Sequence, residues 1–207
     1  MFVAVAMDAQ GGKAAAPYVQ AAHATYPALV DADNGLGTLF GFTVVPNGVF
    51  IDERGVLRKV FQGDFEVSSP QTIAVVEAFL AEPTATGVVK SRKAPTLSAL
   101  EKQAQSGKAE AQIALADAYN RLKRYAAAEK AYRRALQEDP KNVVALFGVG
   151  VALLNQGHKA EAVASWRSAL KLAPDNYVIR KQIWAVEHPE KFYPVIDWDW
   201  QRQQSRD

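Results

Sequence analysis

The chain has 207 residues, 49% hydrophobic and 22% charged, with 24 Lys and Arg against 22 Asp and Glu and no cysteine. That length accommodates one or two domains, and the near balance of charge argues against a polycation built for nucleic acid. The lack of cysteine excludes disulfides, thiolate metal sites and thiol nucleophiles within these residues, and His23, His158 and His188 are too scattered for a histidine metal cluster, so no cofactor is expected. No apolar stretch reaches the roughly 18 residues of a membrane span. The opening Met1–Gly12 lacks the basic region and long apolar run of a secretory signal.

Composition changes near residue 90. Residues 1–90 carry a net charge of −4 and residues 91–207 a net of +6. The first half holds short β-branched runs punctuated by Gly, Pro and Asp. Phe2–Met7 reads as a strand ending at Asp8, and Ala14–Thr25 as a helix with Pro17 in its first turn. Ala28–Val30 is a short strand, followed by a turn and a helical turn over 31–42. Gly48–Asp52 and Val56–Gln62 read as strands joined by a hairpin at Glu53–Gly55. Pro70–Ala81 is expected to be an amphipathic helix with Ile73, Val76, Phe79 and Leu80 on one face. Asp8, Asp52 and Glu53 show no pairing suited to acid–base work, and turn formation and solvation account for them.

This order, with Val45–Pro46 ahead of Phe50–Ile51–Asp52–Glu53–Arg54–Gly55, resembles the thioredoxin-like superfamily, in its redoxin and TlpA/ResA-like thiol–disulfide reductase branch. The resemblance covers about residues 2–82. It implies an α/β/α fold, a cis bond at Val45–Pro46, and a backbone edge there that pairs with substrate in active relatives; a plain trans proline at a strand start is the alternative. It also implies a central strand running into a tryptophan–cysteine–x–x–cysteine turn, which nothing in these residues supplies. The expectation is a partial thioredoxin-like domain over residues 1–82, redox-inactive as it stands, belonging to the C-terminal part of a longer thiol–disulfide oxidoreductase. A smaller closed sheet and a strand supplied by another chain are the other outcomes. A missing central strand leaves edges open to pairing.

Residues 83–95, with two prolines and a run of basic residues, read as a linker. Beyond it the chain is rich in Ala, Leu, Lys and Arg at helical spacing and repeats itself with a period of 34. Ala111 falls on Ala145, Ala116 on Gly150, Ala128 on Ala162, Tyr132 on Trp166, Ala135 on Ala169, Pro140 on Pro174 and Asn142 on Asn176. Small residues let antiparallel helices approach, large ones fill the space around the contact, and the proline ends each second helix. The pattern resembles the tetratricopeptide repeat, at about 109–142 and 143–176. Helices are expected near 109–121, 125–138, 143–155 and 159–172, with a cap near 176–187 and a covering helix over 96–106 that starts on Thr96 as N-cap.

The repeat resemblance implies a helical-hairpin solenoid that binds a protein or peptide along its first helices. The inward positions there would be Ile113, Asp117 and Asn120, then Phe147, Val151 and Leu154. A clamp for a C-terminal carboxylate would need Lys, Asn and Arg, and Ile113, Phe147 and Val151 depart from it. The apolar set Val144, Phe147, Val151 and Leu154 alternatively packs against the cap or the first domain. Residues 188–207 contain Phe192, Tyr193, Trp198 and Trp200. A disordered tail is usually poor in aromatics, so this one is expected to dock back on the protein, with Trp198 and Trp200 as contacts, or to bind a partner. The fold class expected is therefore α/β followed by all-α. The functional expectation is the repeat-bearing part of a thiol–disulfide oxidoreductase, with a non-enzymatic protein-interaction scaffold as the alternative. No nucleic acid is expected as a partner and no membrane span is expected in this chain, and the compartment stays open between a bacterial-type cytoplasm and periplasm.

Overall fold

A computed structural model describes residues 3–40, 47–52, 54–62, 69–81, 95–193 and 195–204. Val45–Pro46, Glu53 and nearly all of the linker lie outside the described residues. The contacts divide the chain into two compact units, Met1–Gly41 with Thr96–Asp207, and Phe42–Pro95. This division differs from the domain boundary expected at residue 82, because residues 3–40 attach to the second half of the chain.

Most of the described chain is helix, and its centre is a series of hairpins. α4 (Leu97–Ala104) is followed by α5 (Ala109–Arg121), α6 (Tyr125–Glu138), α7 (Val143–Asn155), α8 (Lys159–Leu172) and α9 (Tyr177–Glu187). Each helix pair closes because its contact positions are small. Ala116, Ala128, Ala135, Ala145, Ala152, Ala162 and Ala169 have no solvent-accessible surface, so helix axes come close enough for Tyr132 and Trp166 to fill what remains. Tyr132 lies in a cluster with Ala116, Ala128, Val149 and Leu153. Trp166 lies in the next one, with Phe147, Val151, Ile179 and Ile183. Helix α7 is buried along both faces, as a helix between two neighbours must be.

Local chemistry sets the ends of these helices. Thr96, Asn142 and Asn176 are N-caps whose side chains accept from the amides of Ala99, Ala145 and Ile179 at 3.3, 3.0 and 3.1 Å. Each satisfies an amide that the first helical turn leaves unpaired. The tight turns inside the two hairpins pass through left-handed backbone at Lys123 (φ 57°) and Gly157 (φ 90°), positions one repeat apart. Glycine takes that conformation without strain and lysine does not.

Residues 3–40 form β1 (Ala4–Ala6), α1 (Gly12–Ala21), β2 (Ala28–Val30) and α2 (Gly35–Phe40), with β1 and β2 parallel. Helix α1 begins two residues earlier than the sequence predicts, so Pro17 falls in its second turn. There it has no N–H for the Lys13 carbonyl. The other unit contains β3 (Asn47–Ile51) and β4 (Leu57–Gln62), an antiparallel hairpin, and α3 (Pro70–Ala81). The Asp52 carboxylate holds this hairpin, accepting from the amides of Arg54 and Val56 at 3.0 and 2.9 Å and pairing with both Arg54 and Arg58. In α3 the inner stripe is Thr72, which is buried, with Val75, Val76 and Phe79 half-buried, and Phe79 packs on Phe50 at 5.1 Å. Of the stripe expected from the sequence, Val76 and Phe79 do turn inward, whereas Ile73 and Leu80 face solvent, Leu80 with 74% exposure, and Thr72 and Val75 take their places. A run of apolar residues all round a helix does not choose its own inner face. The four described strands make two separate two-stranded sheets.

Candidate protein-binding face

The first helices of successive hairpins, α5, α7 and α9, carry two chemically distinct patches. On α5, the Tyr132 hydroxyl reaches across from α6 and donates to Asp117 Oδ1 at 2.5 Å, while Asn120 Nδ2 donates to the same hydroxyl at 3.2 Å. Burial pushes the Asp117 carboxyl up, against the opposing pull of the Tyr132 hydrogen bond and the Arg121 charge. Burial and the neighbouring Asp117 charge keep the Tyr132 hydroxyl protonated. Asn120 Oδ1 is buried with no hydrogen-bond partner among the described residues. A second carboxyl, Asp33 of the β2–α2 loop, lies within reach of the Asp117 charge. Asp33 is pushed up to about 6, first by burial and then by the charges of Asp31 and Asp117. Asp31 itself caps α2, accepting from Gly35 and Leu36 amides at 2.8 Å each.

The second patch is apolar and covered. Phe147 and Val151 of α7 are buried with Trp166, Ile179 and Ile183, and Ala9 from the N-terminal segment joins the same cluster. The Phe147 and Trp166 rings stack at 5.9 Å, and Trp166 Nε1 donates to the Phe147 carbonyl at 3.0 Å. The centre of the contact is Gln182, on α9 and 1% exposed. Its Oε1 accepts from the Ala9 amide at 3.0 Å and its Nε2 donates to the Met7 carbonyl at 3.2 Å. One side-chain amide thus reads main-chain groups on both sides of Asp8, where the chain enters a turn closed by the Gly11 amide on the Asp8 carbonyl at 3.0 Å and by the Gln10 amide on Asp8 Oδ1 at 2.9 Å. Gln10 Nε2 donates to the Ala185 carbonyl at 3.3 Å and to the Tyr193 hydroxyl at 3.1 Å, and that hydroxyl donates to Asp8 Oδ2 at 2.8 Å.

The six positions singled out in the sequence therefore part company. Asp117 and Asn120 meet at Tyr132. Ile113 packs on the α5–α7 core, and Leu154 touches both that core and the α7–α9 cluster. Phe147 and Val151 are covered by α9 and Ala9. In the tail, Trp200 packs edge-on against Trp184 at 5.7 Å and lies 5.1 Å from His188. Tyr177 of α9 donates to Gln201 Oε1 at 2.5 Å. These contacts fold α10 (Trp198–Gln204) back onto α9, whereas Trp198 is 59% exposed. Sequence reasoning does not find Gln182, Ala9 or Asp33, and it names Tyr193 only as one of the tail aromatics. The one signal it offers is Gln182 itself, an amide on the apolar Ile179–Ile183–Val186 stripe.

Two family models, each described as tetratricopeptide repeat, match residues 109–152 and 143–176. With the hairpins in register over the same residues, the matches define the class of this region: a tetratricopeptide-repeat module. No helix among the described residues is long and apolar enough to cross a membrane.

Proposed function

We propose that this protein is a protein-interaction module whose tetratricopeptide repeats bind a partner along the first helices α5, α7 and α9. The observation that supports this reading most directly is the pair of tandem hairpins over 109–172, with the family match on the same residues. Repeats of this class typically mediate protein–protein interaction, and stacked repeats present one continuous face built from equivalent helices. Ile113, Asp117, Asn120 and Leu154 are the residues assigned to that face, with Phe147 and Val151 beneath it and Trp198 as the exposed aromatic of the tail. Site-specific photo-crosslinkers test it. A crosslinker at Ile113 or Asp117 should capture a partner from lysate, and one at Lys130 or Lys171 on the second helices should not. Equal capture from both sets overturns the assignment.

A second reading concerns residues 1–82. The order β1–α1–β2–α2–β3–β4–α3, the parallel β1–β2 pair and the antiparallel β3–β4 hairpin support a thioredoxin-like unit. So do the two separate sheets, whose apolar strand residues face solvent, Leu29 at 56% exposure. On this reading the module serves a thiol–disulfide oxidoreductase, and these residues supply no redox thiol themselves. The chain alone is then expected to leave the rate of insulin reduction by dithiothreitol at background, and acceleration above it overturns this reading.

A further inference from the structure

The segment Met7–Gln10 crosses α9 and is held there by side chains alone. Among the described residues no main-chain hydrogen bond joins it to the repeat helices. Gln182 reads its backbone, the Tyr193 hydroxyl takes the Asp8 carboxylate, and Ala9 enters a slot between α7 and α9 where it is 2% exposed. Each of these contacts selects a chemistry. The glutamine amide reads the carbonyl before and the amide after one residue at the entry to a turn, whatever that residue's side chain. The slot among Phe147, Val151, Ile179 and Ile183 encloses the Ala9 methyl group and so favours a small residue. The hydroxyl, donating to the Asp8 carboxylate at 2.8 Å, selects an acidic residue just before the small one.

We propose that Met7–Gln10 is a built-in competitor: it occupies in cis a site on α7 and α9 for a protein segment that turns at an acidic residue followed by a small apolar one, and such a segment must displace it to bind. The inference rests on the protein-binding reading above and adds its specificity and its regulation. A tether within the same chain gives the competitor a high effective concentration, so a free segment of equal intrinsic affinity binds weakly until the strap is loosened.

The absence of cysteine provides a clean test by single-cysteine labelling. In the full chain, Ala9→Cys should react with a maleimide at least tenfold slower than Gln20→Cys, which is exposed, and at least tenfold faster than Ala128→Cys in the permanent core. Gln182→Leu should raise the Ala9→Cys rate about tenfold and leave the Ala128→Cys rate unchanged. Tyr193→Phe, which deletes one hydroxyl, provides a second opening variant if Gln182→Leu does not fold. The peptide acetyl-VAMDAQGG-amide at millimolar concentration should raise the Ala9→Cys rate, and the same peptide with Asp and Ala replaced by Lys and Trp should not. Labelling of Ala9→Cys at the core rate, no response to either opening variant, or no response to the peptide overturns the proposal. The photo-crosslinking experiment reads partners at α5 independently of the strap, so failure of the competitor and failure of the protein-binding reading give different results.

Discussion

At the scale of single residues, Gly150 shows how closely α7 and α8 are fitted. A Cβ there would lie 2.2 Å from Trp166 Nε1, and the ring cannot turn away without losing its bond to the Phe147 carbonyl. Gly150→Ala should therefore cost about 1–3 kcal/mol in urea unfolding, the range for overpacking a rigid site. Asp33 is a second case in which one atom group decides stability. Its carboxyl is raised to about 6 by burial and by Asp31 and Asp117, against an ordinary 3.8. A raised carboxyl favours the folded chain fully below 3.8, and that contribution is lost as pH rises through about 6. Solvent access to the loop screens part of the difference, leaving about 1–2 kcal/mol. Asp33→Asn should thus raise the melting temperature at pH 7.5, with the gain vanishing near pH 4. A gain independent of pH would place its origin elsewhere.

At the scale of elements, helix ends and helix faces behave differently. Asn142 bonds to the Ala145 amide at the start of α7, and Asn142→Ala should cost about 1 kcal/mol by chemical denaturation. The two tail tryptophans separate in the same way. Trp200 meets Trp184, His188 and Phe192, whereas Trp198 is exposed. Trp200→Ala should cost about 2 kcal/mol and release α10 from α9, seen as faster amide exchange over 198–204. Trp198→Ala should stay within about 0.5 kcal/mol. The helix ends of the repeats are legible in the sequence because prolines, asparagines and small residues punctuate them at fixed spacing. The inner face of α3 is not, because Ile73, Val75, Val76, Phe79 and Leu80 surround it with apolar side chains and only its packing selects among them.

At the scale of the whole molecule, the two halves differ in how completely they bury what they carry. The repeats enclose Tyr132, Trp166 and their alanine contacts, while β1 and β2 leave Val5, Leu29 and Val30 exposed. Exposed apolar strands with open edges pair with other chains. Light scattering should show concentration-dependent association, and Leu29→Lys should suppress it without changing helical circular dichroism. Persistence of association in Leu29→Lys would move its cause away from this sheet.

The period of 34, its caps and its small-residue contacts are properties of neighbours in sequence, and through them the chain by itself determined its hairpins from α5 to α9. Which residues those helices cover, and with what, depends on atoms more than 170 positions apart, such as the Ala9 amide and Gln182. No spacing rule encodes that meeting, because a side-chain amide will bond any main chain that the fold delivers to it. Only the tertiary structure decided that Phe147 and Val151 lie under the protein's own strap, that Trp200 is packed while Trp198 is open, and that Asp33 stands against Asp117.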